Sequence, residues 1–160
     1  MTYKLLLPGS VSSARPTRLV ELSRSTGQSV TTGDYLKFDT LRETSSSGIA
    51  CNATTGEISL PGSCEHCLIA SIEIDRNANT ESFRIAWVDS GGTEITPANG
   101  GFDCNYDWHS SSTTTNVPNF TLTAVLTTSQ AASFYLKCAS MTTGSTMTAQ
   151  TSIIITQVAL

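Results

Sequence analysis

The sequence predicts an all-β protein of the sandwich or barrel type, on three observations. Charged residues make up only 14% of the chain, against about 25% in a typical soluble protein. Ser and Thr number 47 of the 160 residues, so the polar surface is hydroxyl rather than charge. Thr is β-branched and fits a pleated surface, while Ser serves turns, and both disfavour helix. Apolar residues also recur with a period of two in short segments divided by Gly, Pro and Asn, the punctuation of many short strands.

Residues 1–16 hold a brief apolar tract, Leu5, Leu6 and Leu7, followed by Pro8-Gly9-Ser10 and a second small-residue stretch ending at Pro16. This composition suits an extended arm, with the packed domain occupying residues 17–160. Asp34 to Leu41 alternates Tyr35, Lys37 and Asp39 against Leu36, Phe38 and Thr40, the pattern of a half-buried strand. Ile49 to Asn52 and Glu57 to Leu60 flank Ala53-Thr54-Thr55-Gly56 and read as a tight hairpin, closed at Pro61-Gly62. Cys67 to Ile74 and Glu81 to Asp89, joined by an Asn-rich turn, read as a second hairpin in which Phe83, Ile85 and Trp87 share one face. Residues 90–116 form a long Gly-rich and aromatic excursion, of the kind that is either functional or disordered. Three further strands follow: Asn119 to Thr127, Ser133 to Ser140, and Ser152 to Leu160. The last carries Ile153-Ile154-Ile155 and is expected in the centre of a sheet, since so apolar a strand at an edge invites aggregation.

Several function classes are disfavoured. The net charge is −4 and no Lys/Arg cluster exists beyond Arg15, Arg18 and Arg24, so the positive footprint needed for nucleic acid is missing. No apolar run approaches the roughly 20 residues of a membrane span, and Leu5 to Leu7 are far short of a signal-peptide core. The expectation is a soluble chain synthesised in the cytoplasm. Five cysteines, an odd number, then argue for reduced thiols rather than a disulfide framework.

The order Gly33-Asp34-Tyr35-Leu36-Lys37-Phe38-Asp39-Thr40, then Gly48-Ile49 to Asn52, Thr54-Thr55-Gly56-Glu57-Ile58, Pro61-Gly62 and the apolar strand from Cys67, resembles the C1q and tumour-necrosis-factor-like jelly roll. The chain departs from that pattern after Gly62, where Ser63-Cys64-Glu65-His66 reads as an insertion before Cys67. The resemblance implies a two-sheet antiparallel jelly-roll sandwich that assembles as a homotrimer, with aliphatic and aromatic residues of one sheet lining the three-fold axis. The same jelly roll occurs in bacteriophage virions. A Ser/Thr-rich domain with a short arm is similar to a capsid decoration, or cement, protein sitting on the lattice of the major capsid protein. The alternative is the receptor-binding head of a phage fibre.

Candidate chemistry is sparse. Cys64-Glu65-His66-Cys67 offers two thiols that could share a zinc ion, but a structural zinc site needs a second close pair and the other candidates, Cys51, Cys104 and His109, are scattered singly. A plain corner with buried thiols, without metal, is the expectation. Asp103, Asn105 and Asp107 begin like a calcium loop, yet Trp108 stands where such a loop needs Gly. No cofactor is implied. Two histidines, no nucleophile elbow and no phosphate-binding Gly loop argue against an enzyme. The expected contacts are instead with protein: Tyr3, Leu5, Leu6, Leu7 and Arg15 of the arm against the capsid, while Phe102, Tyr106 and Trp108 read equally as anchors packed into the core or as a contact loop, because Tyr and Trp are enriched at interface hot spots.

Overall fold

A computed structural model describes residues 17–43, 47–75, 82–95, 105–109, 119–141, 145–147 and 151–159. The predicted arm, with Tyr3, Leu5, Leu6, Leu7 and Arg15, lies outside these residues, as do Phe102 and Cys104. Every regular element among the described residues is a β-strand: β1 (Thr17–Ser23), β2 (Gln28–Val30), β3 (Thr40–Glu43), β4 (Ala50–Cys51), β5 (Ile58–Leu60), β6 (Cys64–Asp75), β7 (Ser82–Asp89), β8 (Asn105–His109), β9 (Asn119–Thr128), β10 (Ala132–Met141), β11 (Ser145–Met147) and β12 (Ser152–Ala159).

The strands form two antiparallel sheets. In the first, β6 pairs with β9 along one side and with β11 and then β12 along the other. Strands β2 and β1 continue outward from β11 and β12, and β3 closes the edge beside β1. In the second sheet the order is β4-β5-β10-β7-β8. Leu22, Leu68, Ile72, Leu122 and Ile153 from the first sheet meet Ile58, Phe83, Ile85, Trp87 and Leu136 from the second, all at most 2% exposed. Each such side chain contributes roughly 1.5–3 kcal/mol by leaving water, which makes this interlayer the main source of stability.

The hairpin of β4 and β5 forms as predicted, with Cys51 opposite Ile58. Phe83, Ile85 and Trp87 share the inner face of β7. The prediction for the last strand also holds, because β12 lies between β6 and β1.

Three expectations are corrected. Strands β6 and β7 are not a hairpin: β6 belongs to the first sheet and β7 to the second. Alternation tells which residues share a face, but not which neighbour a strand takes, and here the chain crosses between layers. The strand expected from Cys67 starts at Cys64, so the four residues read as an insertion are part of β6. His66, read as part of a corner, is fully buried, with Nε2 bonded to the Pro61 carbonyl and Nδ1 without a partner among the described residues. Lastly, Asp34 to Leu41 is not one strand. Tyr35 bridges Lys137 in the second sheet, whereas Thr40 opens β3 in the first. Leu36 and Phe38 are buried as the alternation required, but the segment spends its length passing between the sheets.

Candidate subunit interface

Strand geometry sends alternate residues to opposite faces, and in β6 it sends Cys64, His66, Leu68, Ala70 and Ile72 inward. The intervening residues look away from the core. Cross-strand partners share a face, so the register defines rows on the outside of the first sheet. One row runs Arg42, Glu21, Ile154, Ile69, Thr123 across β3, β1, β12, β6 and β9. The next runs Leu19, Thr156, Cys67, Val125. Leu19, Ile69 and Ile154 are 46%, 38% and 42% exposed. Half-buried Cys67 and Val125 lie beside them.

The rim of this face is polar. Ser23, Ser152, Ser71 and Thr121 form a hydroxyl row on one side, and a shallow groove of about 190 Å³ lies among Leu19, Glu21, Arg42 and Glu43 on another. An apolar centre inside a polar rim is the anatomy of a protein–protein contact. None of these centre residues was singled out in the sequence as a contact, Cys67 being read only as a weak metal candidate. The signal that could have found them is the broken alternation of Cys67-Leu68-Ile69-Ala70 and Ile153-Ile154-Ile155, since a strand apolar on both faces needs cover on both.

Cys64 and Cys67 point to opposite faces of β6, which separates the two thiols and removes the basis for a shared ion. Among the described residues no group of three His, Cys, Asp or Glu side chains is placed to hold a metal. Cys64 instead joins a buried polar cluster. Gln157 Nε2 donates to its sulfur at 3.2 Å, and the Thr128 hydroxyl donates to the Pro61 carbonyl at 2.6 Å. His66 Nε2 lies 3.2 Å from the same carbonyl. A carbonyl only accepts, so Nε2 carries the ring proton. Burial holds the His66 pKa below its ordinary value, opposed by the bond to Pro61. The cluster ties the Pro61 corner to β6, β9 and β12.

Of the predicted contact loop, β8 places Tyr106 in register with Ile85 and Trp108 with Phe83, so what was read as an irregular excursion contains a strand of the second sheet.

No protein-family model matches the chain, and no curated protein matches it in sequence. Solved structures do match in shape. The structure of Eiger TNF from S. frugiperda aligns with a TM-score of 0.60 at 12% identity, covering 91% of this chain and 94% of that one. Murine APRIL aligns with a TM-score of 0.57 at 8% identity, covering 89% of this chain and all of its own. The fold is a tumour-necrosis-factor-like jelly roll. At these identities the likeness is one of architecture, and the TNF-like sandwich here carries its own surface: hydroxyl-rich, weakly charged, and apolar at the centre of one outer face.

Proposed function

We propose that the chain is a non-enzymatic structural protein that forms a homotrimer through the outer face of its first sheet, and that the trimer decorates a bacteriophage head as a cement protein. The observation that carries the trimer is the patch of Leu19, Ile69 and Ile154 with Cys67 at its centre. Three copies packing these faces around an axis would bury what one chain leaves in water, and the polar residues at the rim, the hydroxyl row among them, would exclude solvent there. The TNF-like fold supports the three-fold arrangement, because the family the sequence resembles assembles that way.

The virion role is supported by the hydroxyl-rich, low-charge composition and by the arm expected at residues 1–16. An arm that orders on the capsid, with burial shared among neighbouring subunits, raises head stability by binding only the assembled state. Electron microscopy of heads incubated with the purified chain tests this reading. Three-fold density on the capsid lattice and greater resistance of the heads to heat are expected. Absence of bound density, with binding to host cells instead, would move the chain to a fibre head.

A further inference from the structure

The outer face of the second sheet holds a second feature, unrelated to the trimer patch. Tyr35 and Tyr135 stack on each other, ring centroids 4.5 Å apart and planes 32° to each other. Both are half-buried. They line a groove of about 430 Å³ with Asp34, Lys37, Thr54 and Thr55, within the size range of small-ligand sites.

The groove is held in shape by more than its own side chains. Leu36 N donates to Leu136 O at 2.8 Å and Cys138 N to Asp34 O at 2.9 Å, so the segment bearing Tyr35 extends the edge of β10 beyond β5. Gln28 clamps the segment from the other side, its Nε2 donating to Tyr35 O and its Oε1 accepting from Lys37 N, each at 2.9 Å. The wall formed by Thr54 and Thr55 is fixed by Asn52, whose Oδ1 accepts from both backbone amides. Burial, with the negative charge of Glu57 nearby, holds the Tyr135 hydroxyl pKa above its ordinary value, and the Glu57 carboxylate accepts from Ser133. The rings are therefore presented in one arrangement before any ligand arrives, which lowers the ordering cost of binding.

We propose that this groove binds a saccharide, with a pyranose ring packed against an outer face of the Tyr35–Tyr135 stack. A pyranose has an apolar face of C–H groups, which suits the outer ring face of this stack as a platform, and a periphery of hydroxyl and ring oxygens. Around the platform stand groups that suit that periphery: the Thr54 hydroxyl, the Asp34 carboxylate and the Lys37 ammonium. Among the described residues the Lys37 ammonium makes no ion pair or hydrogen bond; the residue is held through its main chain, its carbonyl accepting from Arg24 and its N–H donating to Gln28. The Lys137 ammonium lies 5.9 Å from the Tyr35 ring centroid, which enriches the cationic side of the groove and favours a sugar carrying a carboxylate over a neutral one. A proline-rich peptide also stacks on aromatic grooves, but it would leave the hydroxyl, carboxylate and ammonium groups here with little to bind. The site does not depend on the trimer, because it lies on the other sheet.

The test is an NMR titration of the full chain with 3′-sialyllactose, lactose, chitotriose and a decaproline peptide. Saturable shifts at Tyr35 and Tyr135 with at least one saccharide, at concentrations up to about 10 mM, are expected, with sialyllactose the tightest. Tyr135→Ala should weaken that binding about tenfold or more. Lys37→Gln, a surface change that leaves the fold alone, should abolish the preference for sialyllactose over lactose. No saturable shift with any saccharide overturns the proposal, as does saccharide binding that Tyr135→Ala leaves unchanged, or shifts at these tyrosines with decaproline alone.

Discussion

Ile69 of β6 and Ile154 of β12 stand directly opposite each other in the sheet register, and both face outward. Their chain neighbours Leu68, Ala70, Ile153 and Ile155 face the core and are fully buried. The same two strands thus carry an intramolecular and an outer apolar face, and substitutions on each should behave differently. In urea unfolding of dilute, monomeric chains, Leu68→Ala should lose about 2–5 kcal/mol through the cavity it leaves. Ile69→Thr should change stability by no more than about 0.5 kcal/mol. At higher concentration the wild-type midpoint should rise, because assembly stabilises the folded chain by mass action.

Cysteine reactivity reports on both faces. Cys138 is fully buried, and burial, assisted by the negative charge of Asp34, pushes its thiol pKa up to about 11. It should resist a thiol reagent at neutral pH, since the thiolate is the reactive form. Cys67 lies on the outer face between Thr156 and Val125, and it should react readily in the monomer. In the assembled protein Cys67 should be protected, and mass spectrometry after brief maleimide labelling reads this directly. Equal labelling of Cys67 at low and high protein concentration would place the interface elsewhere.

His66 gives the fold a pH dependence of known sign. Burial depresses its folded pKa below the ordinary 6.5. As pH falls below that value the unfolded chain binds a proton that the folded chain resists, so stability present above pH 6.5 is lost as pH falls through the folded pKa. The urea midpoint of the wild type should be lower at about pH 5.5 than at about pH 7.5, and His66→Gln should reduce that difference. Asp39 and Glu43, held low by hydrogen bonds from Ser25 and Ser47, add their own loss only at more acidic pH. A slope unchanged by His66→Gln would remove the histidine from this account.

Two glycines separate backbone strain from steric contact. Gly33 has φ of +96° with open space where a Cβ would stand, whereas Gly56 has φ of +78° and a Cβ there would meet Leu36 O at 2.6 Å. Gly33→Ala should cost about 1–2 kcal/mol from the left-handed backbone alone. Gly56→Ala should cost more, because the β4–β5 turn must also move away from the Tyr35 segment. Thermal unfolding of the two variants side by side measures the difference.

How far the sequence foretold this molecule depends on what each signal encodes. Alternation in Phe83, Ile85 and Trp87, and in Leu122, Ala124 and Leu126, reports a face, and those faces are the core. The Gly56 turn reports a local hairpin, and β4 and β5 pair accordingly. Pairing between distant segments has no such local code. Nothing in Cys64 to Asp75 names β9 and β12 as its neighbours, so β6 was assigned to the strand next in sequence. Short strands such as β2 and β11, three residues each, carry too little pattern to detect. The outer patch is written in the sequence as apolar runs that break alternation, yet Ile153-Ile154-Ile155 reads there only as the sign of a central strand and Cys67 to Ala70 only as part of a hairpin. The Tyr35–Tyr135 pair joins residues 100 positions apart through the bridge of Tyr35 to Lys137, a contact that only the fold creates.

The central claim is that the outer face of the first sheet joins three copies of the chain. Sedimentation equilibrium of the wild type and of the double variant Ile69→Lys with Ile154→Lys tests it most directly. The wild type should show three times the mass of one chain, dissociating on dilution, and the double variant should remain folded at the mass of a single chain, because assembly would bury unpaired lysine charges from every copy in the patch. A wild type that stays monomeric at every concentration, or a double variant that keeps the wild-type mass, would contradict it.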